Sequence, residues 1–238
     1  MTNTNSIQSQ KKYQWNQQFI NPFPLSGNKK MLRNIFIYLI IFNCSFIASN
    51  PIDEITFKHS DNLHNFYIEI SGGTKEKWEI NKKTGLLEKD QKNGRERIIN
   101  FLAYPGNYGF VPQTLSGDGD PIDLIDLDES LPRGKFKEIK VIGAIYFEDK
   151  KDKDYKFIGV SPSGTFKDIN SIEDLLYERP SVLEILKTWF SSYKKPGKMI
   201  FFRYIDKEEA LTILDDAHKK WVRKKRKNLI SKPLATIE

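Results

Sequence analysis

Near residue 180 the spacing of apolar residues changes from two to about 3.6, and this change limits the folds open to the chain. Before it, apolar residues come in short alternating runs. Phe66-Tyr67-Ile68-Glu69-Ile70 reads as a strand, and Lys77-Trp78-Glu79-Ile80 as a second. Asn81-Lys82-Lys83-Thr84-Gly85 has hairpin-turn chemistry, with Gly85 able to take positive φ, and Leu86–Lys89 is the returning strand. Ile122–Leu127, Ile139–Phe147 and Lys156–Val160 continue the series. After it, Ser181-Val182-Leu183-Glu184 has the form of a capping box, and Val182, Leu186, Trp189 and Tyr193 share one helical face. Lys198–Tyr204 returns to strand. Asp206-Lys207-Glu208-Glu209 opens a last helix, with Leu211, Leu214, His218 and Trp221 on one stripe. Short strands followed by two helices imply an α+β domain built on a small barrel.

The amino-terminal part does not belong to this pattern. Residues 1–30 are polar and rich in Asn, Gln and Ser, and are expected to be a disordered extension. Lys29-Lys30-Met31-Leu32-Arg33, the apolar run Ile35–Ile47 and the small residues Ala48 and Ser49 follow the plan of a secretory signal peptide over residues 31–49. The run is short of the roughly 20 apolar residues of a confident membrane span. An uncleaved signal-anchor is the alternative, and Met1 and Met31 are both candidate starts. The expected location is therefore outside the cytoplasm, periplasmic or anchored to a membrane, with a cytoplasmic location as the alternative. Residues 50–238 form the remaining domain. They contain no cysteine, since the one cysteine is Cys44, which suits export and excludes an intrachain disulfide.

Cys44 and three histidines (His59, His64 and His218) offer no set at metal-ligand spacing, so any metal must be held by carboxylates. That selects hard cations such as Mg²⁺, Mn²⁺ or Ca²⁺. The sharpest candidate is Asp118-Gly119-Asp120-Pro121-Ile122-Asp123, three carboxylates in six residues. Such crowding is unfavourable unless a cation offsets it. Gly119 and Pro121 shape a turn that can aim the acids inward. A second acidic stretch runs from Glu148 through Asp149 and Asp152 to Asp154, although its alternation with lysine is also that of ordinary surface. Together the two could clamp several Mg²⁺ ions, with Mn²⁺ as a substitute, for an in-line phosphoryl displacement. An EF-hand starting at Asp118 fails because Asp123 stands where the turn needs glycine. A phosphatase with a nucleophilic Asp-x-Asp fails because no apolar strand precedes Asp118.

Anion-binding groups surround these acids in the sequence. Tyr104-Pro105-Gly106-Asn107-Tyr108-Gly109-Phe110 reads as an aromatic, glycine-rich turn upstream. Lys156 follows Asp154 by two residues, so on a strand both face one side. Tyr193-Lys194 ends the first helix, and Lys77 and Arg97 add cations. Any one of these alone reads more simply as a surface charge or a core aromatic.

In combination and in order, they resemble family I soluble inorganic pyrophosphatases from about Phe66 to Trp221. The string Asp118-Gly-Asp120-Pro-Ile-Asp123 matches the family signature, with Asn107-Tyr108-Gly109 upstream and Asp149, Asp154, Lys156, Tyr193 and Lys194 downstream. The resemblance implies Mg²⁺-dependent hydrolysis of pyrophosphate to two phosphates. It implies that Asp118, Asp120, Asp123, Asp149 and Asp154 hold the metals and that Asp120 is also the general base. Lys77, Arg97, Tyr108, Lys156, Tyr193 and Lys194 would bind the phosphoryl groups, with Tyr108 and Lys156 also counted as catalytic, and Glu69 and Glu79 would support the site through water. It further implies a five-stranded OB-like barrel with flanking helices and a homo-oligomer, hexameric or dimeric. Arg95 competes with Arg97 for the arginine role, and Ser71-Gly72-Gly73-Thr74 lacks a proline common in the family.

Two other functions stay open at this level: a broader phosphoanhydride hydrolase, and a non-catalytic OB-like module binding anions or nucleic acid. Five clustered carboxylates argue against the module, and no specific nucleic-acid partner is expected. The net charge of +7 favours anionic partners in general. Lys219-Lys220 and Arg223–Lys227 read first as a solvated helix end complementing the dipole, and second as a weak contact for polyanions or membrane headgroups.

Overall fold

The computed structural model describes residues 50–231. The signal-peptide and extension readings therefore lie outside the described residues. The described chain begins with a short helix, α1 (Pro51–Glu54), whose cap Asn50 accepts the Ile52 N–H at 3.1 Å. Strands β1 (Lys58–Ser60), β2 (Leu63–Ile70), β3 (Trp78–Ile80), β4 (Leu87–Lys89), β5 (Gln91–Lys92) and β6 (Arg95–Glu96) follow. Then come β7 (Asn107–Val111), β8 (Ile122–Asp126), β9 (Phe136–Asp149) and β10 (Asp152–Val160). Helices α2 (Ile172–Glu178) and α3 (Pro180–Ser192), strand β11 (Met199–Ile205) and helix α4 (Lys207–Ile230) complete it.

The fold is mixed α+β around a seven-stranded sheet in the order β1-β2-β7-β8-β10-β9-β11. Most neighbours are antiparallel; β8 and β10 run parallel. β2 also pairs with β9, from His64↔Ile139 to Tyr67↔Phe136, so the hydrogen-bonded pairings return from the ninth strand to the second. β3–β4 and β5–β6 are separate two-stranded hairpins. In the first, Gly85 takes φ +71° at the expected turn.

Residues i and i+1 of the central strands enter different cores. Phe157 packs with Phe66, Ile68 and Leu124 against Ala210, Leu214 and Ala217 of α4. Its neighbour Ile158 packs with Ile125, Ile142 and Ile145 against Leu175, Leu183, Trp189 and Phe190 of α2 and α3. With both strand faces covered, these strands become apolar almost throughout, and β2 is buried or nearly so along its length.

Several local expectations need correction. Asn107–Val111 is a wholly buried strand, not part of a turn. Gly109 permits it, because a Cβ there would meet Tyr67 O at 1.9 Å across the β2–β7 pairing. Ser181 does not cap α3. Pro180 already occupies its first turn, preceded by Arg179 with no side-chain cap. The buried face of α3 is Leu183, Leu186, Trp189 and Phe190, with Val182 and Tyr193 at its flank. Helix α2, capped by Ser171 Oγ accepting the Asp174 N–H at 3.1 Å, was not expected, because seven residues carry little periodic signal.

Candidate functional site

A cleft of about 760 Å³ gathers side chains from most of these elements. All of the expected site residues border it: Glu69, Lys77, Glu79, Arg97, Tyr108, Asp118, Asp120, Asp123, Asp149, Asp154, Lys156, Tyr193 and Lys194. Arg95 does not; it lies exposed on the β5–β6 hairpin, opposite Lys92.

The acidic string acts as a turn followed by a strand. Asp118 Oδ1 accepts the Asp120 N–H at 2.9 Å and the Ser116 hydroxyl, and Gly119 closes the turn at φ +89°. Asp123 stands on β8, whose backbone is fixed opposite Phe110 of β7. The second acidic stretch is the β9–β10 hairpin. Asp149 and Asp152 face each other across a two-residue turn in which Lys150 and Lys151 both have positive φ, 55° and 76°. That is the backbone of a type I′ turn.

Lys156 joins the two acidic segments. Its ammonium contacts Asp123 Oδ2, lies 2.7 Å from Asp154 Oδ1 and donates to the Tyr108 hydroxyl at 3.1 Å. The Asp154 contact is the one expected from their two-residue spacing. Burial works to lower the Lys156 pKa, but Asp123 and Asp154 outweigh it and hold the ammonium well above the ordinary lysine value. Burial, with Asp123 next, pushes the Tyr108 phenol far up, so it stays protonated and can donate. Lys194 reaches Asp149 Oδ2 at 2.7 Å from the end of α3, where Tyr193 stacks on Trp189 at 4.7 Å. Lys77 and Arg97 are held together by Asp90, at 3.5 and 2.9 Å, and Lys77 also contacts Glu79. Glu69 is buried and accepts the Ile80 N–H at 2.8 Å; burial pushes its carboxyl up to about 8.

The donor set suits a hard cation. Nine carboxylates border the cleft against six Lys and Arg side chains, and every candidate ligand atom is oxygen. Asp149 Oδ1 is buried without a hydrogen-bond partner. Asp120 Oδ1 also lacks a well-formed hydrogen bond, although the Lys82 ammonium abuts it. Among the described residues no three carboxylate or imidazole groups stand close enough to share one ion. The ammonium groups of Lys156, Lys194 and Lys82 lie against the carboxylates instead.

Some contributors lie outside the set of residues expected to form the site. Asp90 positions two cations from outside the cleft, Asp152 and Tyr104 line it, and α4 brings Asp216 and Lys220 to its border. Tyr104 carries a signal, its place in the aromatic turn. Asp90 and Asp216 carry none, because their relevance arises only through tertiary contacts.

An all-oxygen acidic cleft opposed by lysines, an arginine and buried tyrosines defines a class suited to hydrolysing a polyanionic phosphorus compound. The model of the inorganic pyrophosphatase family matches residues 66–222. A soluble inorganic pyrophosphatase of Zea mays is 37% identical over 63% of this chain and 67% of its own length. An inorganic pyrophosphatase of Nanoarchaeum equitans is 33% identical over 65% of this chain and 95% of its own. The chain spans only 53% of a probable Plasmodium falciparum inorganic pyrophosphatase and 59% of an Arabidopsis thaliana one. Among solved structures, a truncated Trypanosoma cruzi vacuolar soluble pyrophosphatase in complex with PPi superposes with a TM-score of 0.70. It is 25% identical, over 74% of this chain and 80% of that one. The Helicobacter pylori inorganic pyrophosphatase superposes at 0.62 with 30% identity, over 71% and 99%. The chain belongs to the inorganic pyrophosphatase family.

Proposed function

We propose that this chain hydrolyses inorganic pyrophosphate to two phosphates in the cleft described. The observation that carries the proposal is the meeting in one cleft of two acidic segments with Lys77, Arg97, Tyr108, Lys156, Tyr193 and Lys194. Asp118, Asp120, Asp123, Asp149 and Asp154 would hold Mg²⁺, or Mn²⁺ in its place. Bound there, the ions would supply charge neutralisation and a more acidic water. Asp120 takes the proton of the attacking water. Lys77 and Arg97, steadied by Asp90, and Lys194 with Tyr193 bind the phosphoryl oxygens. Lys156 and the protonated Tyr108 lie side by side and stabilise charge on the departing phosphate. Glu69 and Glu79 support the site through water.

The circuit of pairings through β2, β7, β8, β10 and β9 supports a five-stranded, OB-like barrel as the scaffold. Export directed by residues 31–49 is part of the proposal and rests on sequence. Amino-terminal sequencing of the native protein should find cleavage near Ser49; an intact Met1 or Met31 would reject cleavage and leave the uncleaved signal-anchor.

The test of activity is phosphate release from pyrophosphate with Mg²⁺. Chelation of the metal should abolish it. Asp120→Asn should lower it by about 10²- to 10⁴-fold while the unfolding midpoint stays unchanged. Full activity without divalent cation, or in Asp120→Asn, would reject the mechanism.

A further inference from the structure

We propose that the carboxyl-terminal end of α4 docks on an anionic lipid membrane. Seven of the nine residues from Lys219 to Lys227 are Lys or Arg, and no Asp or Glu occurs from Ala217 to Ser231. The helix packs on the domain through Ala210, Leu214 and Ala217, and Trp221 continues that stripe. Beyond it the helix runs on to Ile230 with little against it. Asp216 pairs with Lys219 at 2.9 Å and Asp53 contacts Lys225, while Lys224, Arg226 and Lys227 have no ion pair among the described residues.

The apolar residues of this end select the partner. Val222, Leu229 and Ile230 lie on the side away from the packed stripe, with Arg226 between them at three- and four-residue spacing. Leu229 is 72% and Ile230 78% exposed. A nucleic-acid backbone would use the cations but gain nothing from exposed aliphatic groups. At a lipid interface both are used: the aliphatic groups enter the headgroup–acyl boundary while the ammonium and guanidinium groups meet lipid phosphates. The basic segment of this helix is fastened beside α1, where Trp221 Nε1 donates to Asp53 at 3.1 Å. Asp53 lies six residues after the apolar run Ile35–Ile47 in sequence. The surface is independent of the catalytic reading, because Lys224, Arg226, Lys227, Leu229 and Ile230 do not border the cleft.

The test is co-sedimentation of the full chain with phosphatidylcholine vesicles, with and without phosphatidylserine. Comparing the two removes any charge-independent binding by the amino-terminal run. Phosphatidylserine should increase partitioning, and added salt should reverse the increase. Lys224→Gln/Arg226→Gln/Lys227→Gln should lower the phosphatidylserine-dependent partitioning by about 100-fold with phosphate release unchanged. Leu229→Ser/Ile230→Ser should weaken it as well. Equal partitioning to both vesicle types, or an unchanged triple variant, overturns the proposal. So does equally tight binding of a duplex DNA oligonucleotide that Leu229→Ser/Ile230→Ser leaves intact; that result would assign the helix to nucleic acid.

Discussion

Lys156 is the cation that bridges the two acidic segments when no metal neutralises them. Its side chain is 5% exposed and touches Asp123, Asp154 and Tyr108 together. Removing it leaves two carboxylates facing each other and the Tyr108 hydroxyl without its donor. Breaking a buried ion pair by deleting one partner costs about 3–5 kcal/mol. Asp123 and Asp154 keep some access to water, so Lys156→Met should sit at the lower end, about 3 kcal/mol, in urea unfolding without divalent cation. Mg²⁺ should recover part of that loss, because an ion bound only by the folded state takes over the neutralisation. Unchanged stability in the metal-free variant would show that Lys156 does not carry this role.

At the scale of elements, the parts of the site differ in how far sequence reveals them. Asp118, Asp120 and Asp123 are legible because their crowding is local and needs no knowledge of the fold. Asp154 and Lys156 are legible once a strand is assumed, since alternation places them on one side. Asn107–Val111 is not legible as a strand: Asn and Gly normally mark turns, and only contact with β2 makes Gly109 necessary. The β9–β10 turn is hidden for the opposite reason. Lys150-Lys151 has none of the usual type I′ residues, yet both adopt positive φ. Left-handed backbone costs an ordinary residue about 1–2 kcal/mol, while Asn and Gly tolerate it. Lys150→Asn/Lys151→Gly should therefore raise stability by about 1–2 kcal/mol in urea unfolding, with phosphate release preserved because neither lysine borders the cleft. A loss of stability would mean that this hairpin closes in another way.

Across the whole molecule, acid stability is set partly outside the cleft, where β2 meets α4. His64 is 2% exposed, packs edge-on to Phe57 at 4.9 Å and has neither ring nitrogen hydrogen-bonded. Burial is the largest influence against its protonation, Lys58 on β1 adds to it, Asp215 on α4 opposes it and His218 on α4 adds a little more, so its pKa falls to about 4. The unfolded chain protonates His64 near its ordinary value of 6.5, whereas the folded chain resists until about 4. Protons therefore favour the unfolded state across that window, and stability is lost as pH falls through it. The interval amounts to about 3 kcal/mol from this one group. Leu fills a similar volume without a proton to bind. His64→Leu should thus flatten the decline in unfolding free energy between pH 6.5 and 4 by about that amount, leaving metal-dependent phosphate release at neutral pH unchanged. An identical acid profile in the variant would place the sensitivity in other groups, with the carboxylates of the cleft the first to test.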